Sequence, residues 1–129
     1  MTNSVNVASQ SVAVNAPVLF GNTRIQTGCT VRHENGSGRF VILKPGIYRV
    51  LFNASITAAA SGTGVLNLIQ DGEQVPGANI TTTVGTTPTE GSFSTLVRVY
   101  CGNSTVSVAN VGTTALTLTQ ANIVIERVC

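Results

Sequence analysis

The chain has 129 residues, a formal net charge of +2, and only 9% charged residues against 43% hydrophobic ones. This length corresponds to one domain that is large enough to bury a core of its own. A composition so low in charge predicts that other subunits cover part of the apolar surface. The seven Lys and Arg residues are scattered singly, without a basic run or interleaved aromatic residues, so we expect no nucleic-acid partner.

Targeting signals and cysteines give further expectations. No stretch approaches the roughly 20 apolar residues that a membrane-spanning helix needs, so we expect no membrane association. Residues 1–7 lack the basic start and apolar block of a signal peptide, which predicts a protein made in the cytoplasm. Cys29, Cys101 and Cys129 cannot all pair within one chain, and none has metal-ligand spacing. We expect reduced thiols, and the alternative is a disulfide between Cys129 residues of neighbouring chains.

Residues 1–16 alternate valine with small polar residues and precede the main domain, which we place at residues 17–129. Two interpretations fit this segment. It is either the first edge strand of the domain or an arm that leaves the domain and attaches to a partner. The attaching side chains of such an arm are its four valines, Val5, Val7, Val12 and Val14.

The residue pattern from position 38 to position 57 predicts that this stretch forms the core strand of the domain. Alternate side chains of a strand point to opposite faces, so a run of apolar residues at every second position marks a buried face. Such a run is formed by Tyr48, Val50, Phe52, Ala54 and Ile56. Before it, Lys44-Pro45-Gly46 predicts a corner, because proline cannot donate to a strand ladder.

Downstream, the strongest hairpin signal is Asp71-Gly72, since both residue types tolerate a positive φ. We expect its return strand to end at Pro76-Gly77, and the threonine-rich residues 79–91 to form a short edge strand and then a loop. In the last strand the apolar phase shifts between Leu118 and Ile123, which predicts a bulge near Gln120-Ala121.

No window has the 3.6-residue period of a helix, and we expect eight to ten short strands punctuated by glycine. The core stretch resembles the signature of the C1q/TNF-like jelly-roll family. The resemblance lies in Phe40, Gly46, Tyr48, Val50 and Phe52, with five residues between the first two and one residue between each later pair. Val50 departs from that signature, which usually has an aromatic residue there. The resemblance implies an all-β jelly-roll sandwich of two antiparallel sheets.

The resemblance also implies a homotrimer around a three-fold axis, because domains of this family associate in that way. Apolar residues on both faces of a strand in an antiparallel sheet need a second covering layer, which favours such an assembly. The residues that we predict in or beside the trimer core are Tyr48, Leu51, Phe52, Tyr100, Ile123 and Ile125. The alternative for each is packing within the monomer alone.

Titratable groups are too few to predict an enzyme, a metal site or a cofactor site. Asp71 and Glu73 flank a turn, where solvated carboxylates are expected. Cys29 and His33 lie four residues apart, about 13 Å along an extended strand, which is too far for a hydrogen bond. We therefore expect no catalysis by Cys29, and we expect His33 at the surface or at an interface. A zinc or calcium site needs clustered ligands that the chain lacks.

The favoured function is a structural protein of a phage particle, as a capsid decoration, head-fibre or tail-associated trimer at the virion surface. Its expected partners are its own copies and, through the N-terminal arm, a capsid or fibre protein. The alternative is a head domain on a bacterial spore or cell surface that binds a receptor or glycan. The chain resembles the head domains of spore-surface filaments but has none of their collagen-type Gly-X-Y repeats.

Overall fold

The computed structural model of the chain describes residues 2–6, 9–26, 30–33, 36–58, 61–100 and 103–128. No helix in these ranges is long and apolar enough to cross a membrane. The regular elements of the described ranges are eleven β-strands. They are β1 (Thr2–Asn6), β2 (Gln10–Val12), β3 (Asn22–Gln26), β4 (Val31–His33), β5 (Phe40–Ile42), β6 (Gly46–Thr57), β7 (Gly62–Gln70), β8 (Glu73–Val84), β9 (Thr89–Val99), β10 (Ser104–Asn110) and β11 (Leu116–Arg127).

The strands form two antiparallel sheets. The six-stranded sheet has the order β3-β1-β11-β6-β9, with β2 paired to β11, and the five-stranded sheet has the order β4-β5-β10-β7-β8. This arrangement confirms the predicted jelly-roll sandwich. The strand count exceeds the expected eight to ten because three strands, β2, β4 and β5, have only three residues each. Such strands are too short for an alternating pattern to be recognised.

The core lies between the two sheets, and the alternation of β6 determines one wall of it. Tyr48, Val50 and Phe52 are all at most 1% exposed, whereas Arg49 between them is exposed. Across the ladder, Phe52 lies opposite Ile123 and Val50 lies opposite Ile125. The buried face predicted from the period of two is therefore confirmed. The facing sheet contributes Phe40, Ile42, Leu66, Leu68, Val106 and Val108.

Phe20 links the two sheets, although it lies outside the named strands. Its ring makes edge contacts with Phe40 of β5 at 5.5 Å between centroids and with Phe52 of β6 at 6.2 Å. The backbone around it is fixed by a bridge to Ser37, with a 3.2 Å hydrogen bond from the Phe20 N–H to the Ser37 carbonyl. Edge-to-face pairs add to the energy of burial, so Phe20 holds the sheets together at this end.

The β7–β8 hairpin turns at Asp71-Gly72, as predicted, with φ values of 51° and 86°. The Asp71 carboxylate accepts hydrogen bonds from the Thr105 N–H at 2.9 Å and from the Ser104 hydroxyl at 2.7 Å. These bonds, first the one from the Thr105 backbone, hold the pKa of Asp71 below its ordinary value, because they favour the ionised form. The turn is thereby attached to the start of β10.

Two predicted element ends differ from the structure. The return strand does not stop at Pro76-Gly77, because β8 continues to Val84. β8 is an edge strand of the five-stranded sheet, and an edge tolerates proline since its outer N–H groups need no partner. Residues 79–91 contain an edge strand and then a loop, as expected, but the loop ends at residue 88 because β9 begins at Thr89. The bulge in β11 is confirmed, with a register shift between Thr119 and Asn122 and a φ of 54° at Gln120.

The N-terminal segment forms strands of the six-stranded sheet in this structure. β1 lies between β3 and β11, so the outermost strand on that side is β3 and not β1. Thr2 and Ser4 of β1 are fully buried, and Val12 of β2 is 1% exposed. Val7 lies outside the described residues. An arm built from this segment would have to leave a position in the middle of the sheet.

Candidate subunit interface

The candidate functional site is the face of the six-stranded sheet that points away from the core. Residues that lie opposite each other in a ladder share a face. Leu51 lies opposite Val124, and Arg49 lies opposite both Leu96 and Glu126, so all five side chains are on this outer side. We call its apolar part the outer apolar face. It consists of Ile47, Leu51, Leu96, Tyr100, Val124 and Val128.

Three residues of the outer apolar face are highly accessible in the single chain. Tyr100 is 77% exposed, Leu96 59% and Val128 46%. Single exposed apolar residues are common on protein surfaces, whereas neighbouring ones on one flat face mark an interaction surface. This exposure agrees with the low charge of the sequence, which predicts a covered apolar surface.

Charged groups on this face are arranged in pairs that lower the cost of covering it. The Arg49 guanidinium forms an ion pair with the Glu126 carboxylate through both Nε and Nη2. Arg98 lies over the ring of Tyr100, with its guanidinium carbon 5.0 Å from the ring centroid. A charge that keeps its partner can be removed from water at a smaller free-energy cost than an isolated one. The face is therefore suited to contact with another protein surface.

The structure separates the six residues predicted for the trimer core into two groups. Leu51 and Tyr100 lie on the outer face, Leu51 half-buried and Tyr100 exposed. The other four are at most 1% exposed in a single chain, and they are Tyr48, Phe52, Ile123 and Ile125. Their placement is corrected to the core of the monomer, because they point between the sheets and have no surface left for another subunit.

The residues that the sequence prediction did not select for this site are Ile47, Leu96, Val124 and Val128. Leu96 could have been selected from the sequence, because it falls on the same predicted strand face as Tyr100. Val124 was hidden because it sits between two core isoleucines, and only the pairing with Leu51 places it on the outer face. Val128 follows the end of β11, where its N–H donates to the Ile47 carbonyl at 2.8 Å.

Beyond the apolar part, the same sheet face continues into a polar groove of about 560 Å³. Its polar side chains are Asn53, Ser55, Glu90, Ser92, Thr119 and Gln120. Glu90 supplies the one carboxylate among the described residues of the groove, and the hydroxyls and amides around it offer hydrogen bonds to a ligand. Among the described residues there is no cluster of three His, Cys, Asp or Glu side chains that could hold a metal ion.

His33 has a structural role in the described part of the chain. Its Nε2 lies 2.7 Å from the Ser37 carbonyl oxygen and its Nδ1 lies 2.9 Å from the Thr23 hydroxyl. The network thus assigns the proton to Nε2, which donates to the carbonyl, while Nδ1 accepts from the hydroxyl. The ring stacks on Phe40 at 4.2 Å between centroids. Cys29, the other member of the pair considered above, lies outside the described residues.

Tyr48 is the other titratable group enclosed by the fold. Its hydroxyl donates a 2.7 Å hydrogen bond to the Lys44 carbonyl, which fixes the corner before β6. Burial raises the pKa of the Tyr48 phenol, and the nearby Arg127 charge acts in the opposite direction. The phenol is therefore neutral at pH 7 and serves as a hydrogen-bond donor within the fold.

Comparison with known proteins gives one family match and several structures of the same fold. The family model described as the BclA C-terminal domain matches residues 2–129. The globular domain of zebrafish complement 1qA protein superimposes with a TM-score of 0.72 at 13% identity, covering 99% of this chain and 96% of that one. Eiger TNF from S. frugiperda gives a TM-score of 0.79 at 11% identity, covering 99% and 91%.

A third similar structure is the PRD1 vertex protein P5, with a TM-score of 0.62 at 13% identity, covering 99% of this chain and 96% of that one. No curated protein matches the chain. At such low identity these likenesses show the fold alone. They confirm the C1q/TNF-like jelly roll that the Phe40–Phe52 signature predicted.

Proposed function

The chain belongs to the BclA C-terminal domain family, and on this premise we propose that it is a non-enzymatic, homotrimeric head domain at the surface of a particle. The observation that supports this proposal is the outer apolar face, on which Leu96 and Tyr100 are largely exposed in a single chain. Fully burying a side chain of leucine size contributes about 1.5–3 kcal/mol, so covering several of them favours association.

The trimer is favoured over other assemblies by the resemblance to C1q/TNF-like domains, which associate around a three-fold axis. In such an arrangement the outer apolar face of one subunit contacts its neighbours, and all three copies use the same residues. The Arg49–Glu126 pair stays neutral as a unit when it is covered. Arg98 keeps its contact with Tyr100.

The assembly is tested by the mass of the chain in solution. At about micromolar concentration we expect sedimentation equilibrium to give three times the chain mass of 13.3 kDa. Leu96→Asp places a charge on the face and is expected to give monomers that keep the β-sheet circular dichroism spectrum. The matched control is Leu19→Asp, since Leu19 is 46% exposed but lies in the segment between β2 and β3. A monomeric unmodified chain would refute the trimer.

For the particle itself, we propose a phage virion, with the chain as a decoration, head-fibre or tail-associated protein. Support comes from the PRD1 vertex protein P5, a virion component by its name, which has the same fold over nearly its whole length. Attachment to a capsid or fibre protein is proposed through the N-terminal segment. Of its valines, Val14 is 41% exposed and Val5 half-buried, whereas Val12 is buried.

The alternative particle is a bacterial spore or cell surface, which the family match favours, because the chain resembles the head domains of spore-surface filaments. Density-gradient separation of the producing culture distinguishes the two. Peptides that band with virus particles, in a fixed ratio to the coat protein, support the virion. Peptides that follow spores support the spore surface, and peptides that stay in the soluble fraction contradict both. Val14→Asp is expected to release the chain from the particle without unfolding it.

A further inference from the structure

A groove with two arginines lies on the opposite side of the sandwich from the outer apolar face. It has a volume of about 440 Å³. We call it the arginine groove, and it is lined by Pro17, Arg32, Ser37, Gly38, Arg39, Val41 and Ser107. Val41 and Ser107 each lie between two fully buried neighbours in β5 and β10, so their side chains point outward from the five-stranded sheet. A trimer formed through the other sheet leaves this groove accessible.

Both arginines line the groove, one from β4 and one from the residue before β5. Arg32 lies directly opposite Val41 in the β4–β5 ladder, and Arg39 comes immediately before β5. Both side chains are exposed, and neither forms an ion pair with a described carboxylate. Glu34, two residues after Arg32, lies outside the described residues. In the described part of the chain, the groove is therefore a concave surface with two unneutralised positive charges.

The carboxylates of the described residues are engaged or located elsewhere. Glu126 pairs with Arg49 on the other sheet. Asp71 accepts its hydrogen bonds from Ser104 and Thr105. Glu90 lines the polar groove of the six-stranded sheet. Glu73 pairs with Gln70 at the start of β8, on the opposite edge of the five-stranded sheet from β4. An anion that enters the arginine groove therefore meets no described acidic side chain on its lining.

The backbone of the groove is held in place by contacts that do not involve the arginine side chains. Gly38 packs so closely on the segment before it that a Cβ atom there would come within 2.6 Å of the Val18 carbonyl oxygen. The Gly36 N–H donates to the Phe20 carbonyl at 2.8 Å, and the Arg39 N–H donates to the Ser37 hydroxyl at 3.1 Å. A rigid floor keeps down the entropy cost of binding a ligand.

We propose that the arginine groove binds an acidic sugar, that is, a sugar unit with a carboxylate. Guanidinium groups bind carboxylates and other oxyanions through two parallel N–H···O bonds. The hydroxyls of Ser37 and Ser107 supply donors and acceptors for sugar hydroxyls, and Pro17 and Val41 supply small apolar contacts. None of the described residues that line the groove is aromatic, so charge, and not stacking, provides the recognition.

The experiment uses the full chain and three defined probes, which are D-glucuronate, neutral methyl glucoside and inorganic sulfate. Two-dimensional NMR titration follows the backbone N–H signals. We expect saturable binding of D-glucuronate with a Kd of about 1 mM, with shifts confined to the groove around Gly38 and Ser107. Methyl glucoside lacks the carboxylate and sulfate lacks the sugar hydroxyls that Ser37 and Ser107 would bind, so both are expected to bind at least tenfold more weakly.

Four variants locate the binding. Arg32→Ala and Arg39→Ala are each expected to weaken D-glucuronate binding about tenfold, since each removes one charged donor pair. The matched control is Arg98→Ala, which removes the same charge from the six-stranded sheet and should leave the Kd unchanged. Arg39→Lys keeps the charge but loses the planar fork, and an intermediate Kd is expected.

Several results would overturn the proposal. One is absence of saturation at a D-glucuronate concentration about tenfold above the expected Kd. The others are equally tight binding of methyl glucoside and an equal loss of D-glucuronate affinity in Arg98→Ala. Equal binding of sulfate would mean an adventitious ion only. The proposal does not depend on the trimer, because a monomeric chain retains the arginine groove and a trimer that binds no D-glucuronate retains its assembly.

Discussion

Phe20 gives the sharpest test of how the two sheets are held together. Its side chain is fully buried, and it makes edge contacts with one phenylalanine from each sheet. Replacing a buried phenylalanine by alanine costs about 3–5 kcal/mol, because apolar contact is lost and a cavity remains. This range already includes lost aromatic contacts, which are worth about 0.5–1.5 kcal/mol per pair, so a phenylalanine with two such contacts belongs in its upper half. We therefore expect Phe20→Ala to lower the free energy of unfolding by about 4 kcal/mol, out of a total of about 5–15 kcal/mol.

The matched comparison is Phe93→Ala. Phe93 is 8% exposed, lies on the edge strand β9 and has a single stacked partner, Phe52, at 5.4 Å. Phe93→Ala should lower the free energy of unfolding by about 1 kcal/mol less than Phe20→Ala does, because an edge site collapses more easily around the cavity. The measurement is urea denaturation followed by circular dichroism at one fixed chain concentration, since self-association couples to stability. A loss of less than about 2 kcal/mol for Phe20→Ala, or a larger loss for Phe93→Ala, would refute the role given to Phe20.

Three further predictions concern the backbone and one charge. Gly38→Ala should destabilise the fold by at least about 2 kcal/mol, because the added methyl group would lie 2.6 Å from the Val18 carbonyl oxygen. An unchanged thermal midpoint would contradict this. Gln120→Gly should raise the free energy of unfolding by about 0.5 kcal/mol in urea denaturation, since the φ of 54° is unfavourable for glutamine, and a decrease would refute the strain. Asp71→Asn should cost about 1 kcal/mol at pH 7. Because the pKa of Asp71 is lowered in the folded state, its stabilisation is present above its ordinary pKa and is lost as the pH falls below that value and through the lowered pKa of the folded state. An equally steep acid loss of stability in the variant would contradict that role.

The sequence alone determined the features that depend on neighbours along the chain. The alternation from Tyr48 to Ile56 predicted which face of β6 is buried, because the side-chain period of a strand is fixed by backbone geometry. The Asp71-Gly72 turn and the bulge at Gln120 were predictable for the same reason. Each requires a local backbone conformation that few residue types favour.

Only the tertiary structure decided which strands pair and which apolar side chains face another subunit and not the core. β1 pairs with β11 from the other end of the chain, and no local pattern specifies a partner more than 100 residues away. That pairing, and not the composition of residues 1–16, puts Thr2 and Ser4 in the core. Likewise, apolar alternation cannot tell a monomer core from a subunit interface, which is why Tyr48 and Ile123 were placed at the trimer contact.

The arginine groove is also a feature that the tertiary structure, and not the sequence pattern, determines. Arg32 and Arg39 are unremarkable in the sequence, seven residues apart on either side of a glycine-bearing loop. The antiparallel pairing of β4 with β5 brings them to one groove, and the close packing of Gly38 on the Pro17–Val18 segment builds its wall. Local chemistry selects the elements, whereas the contacts between distant elements select which side chains form a site.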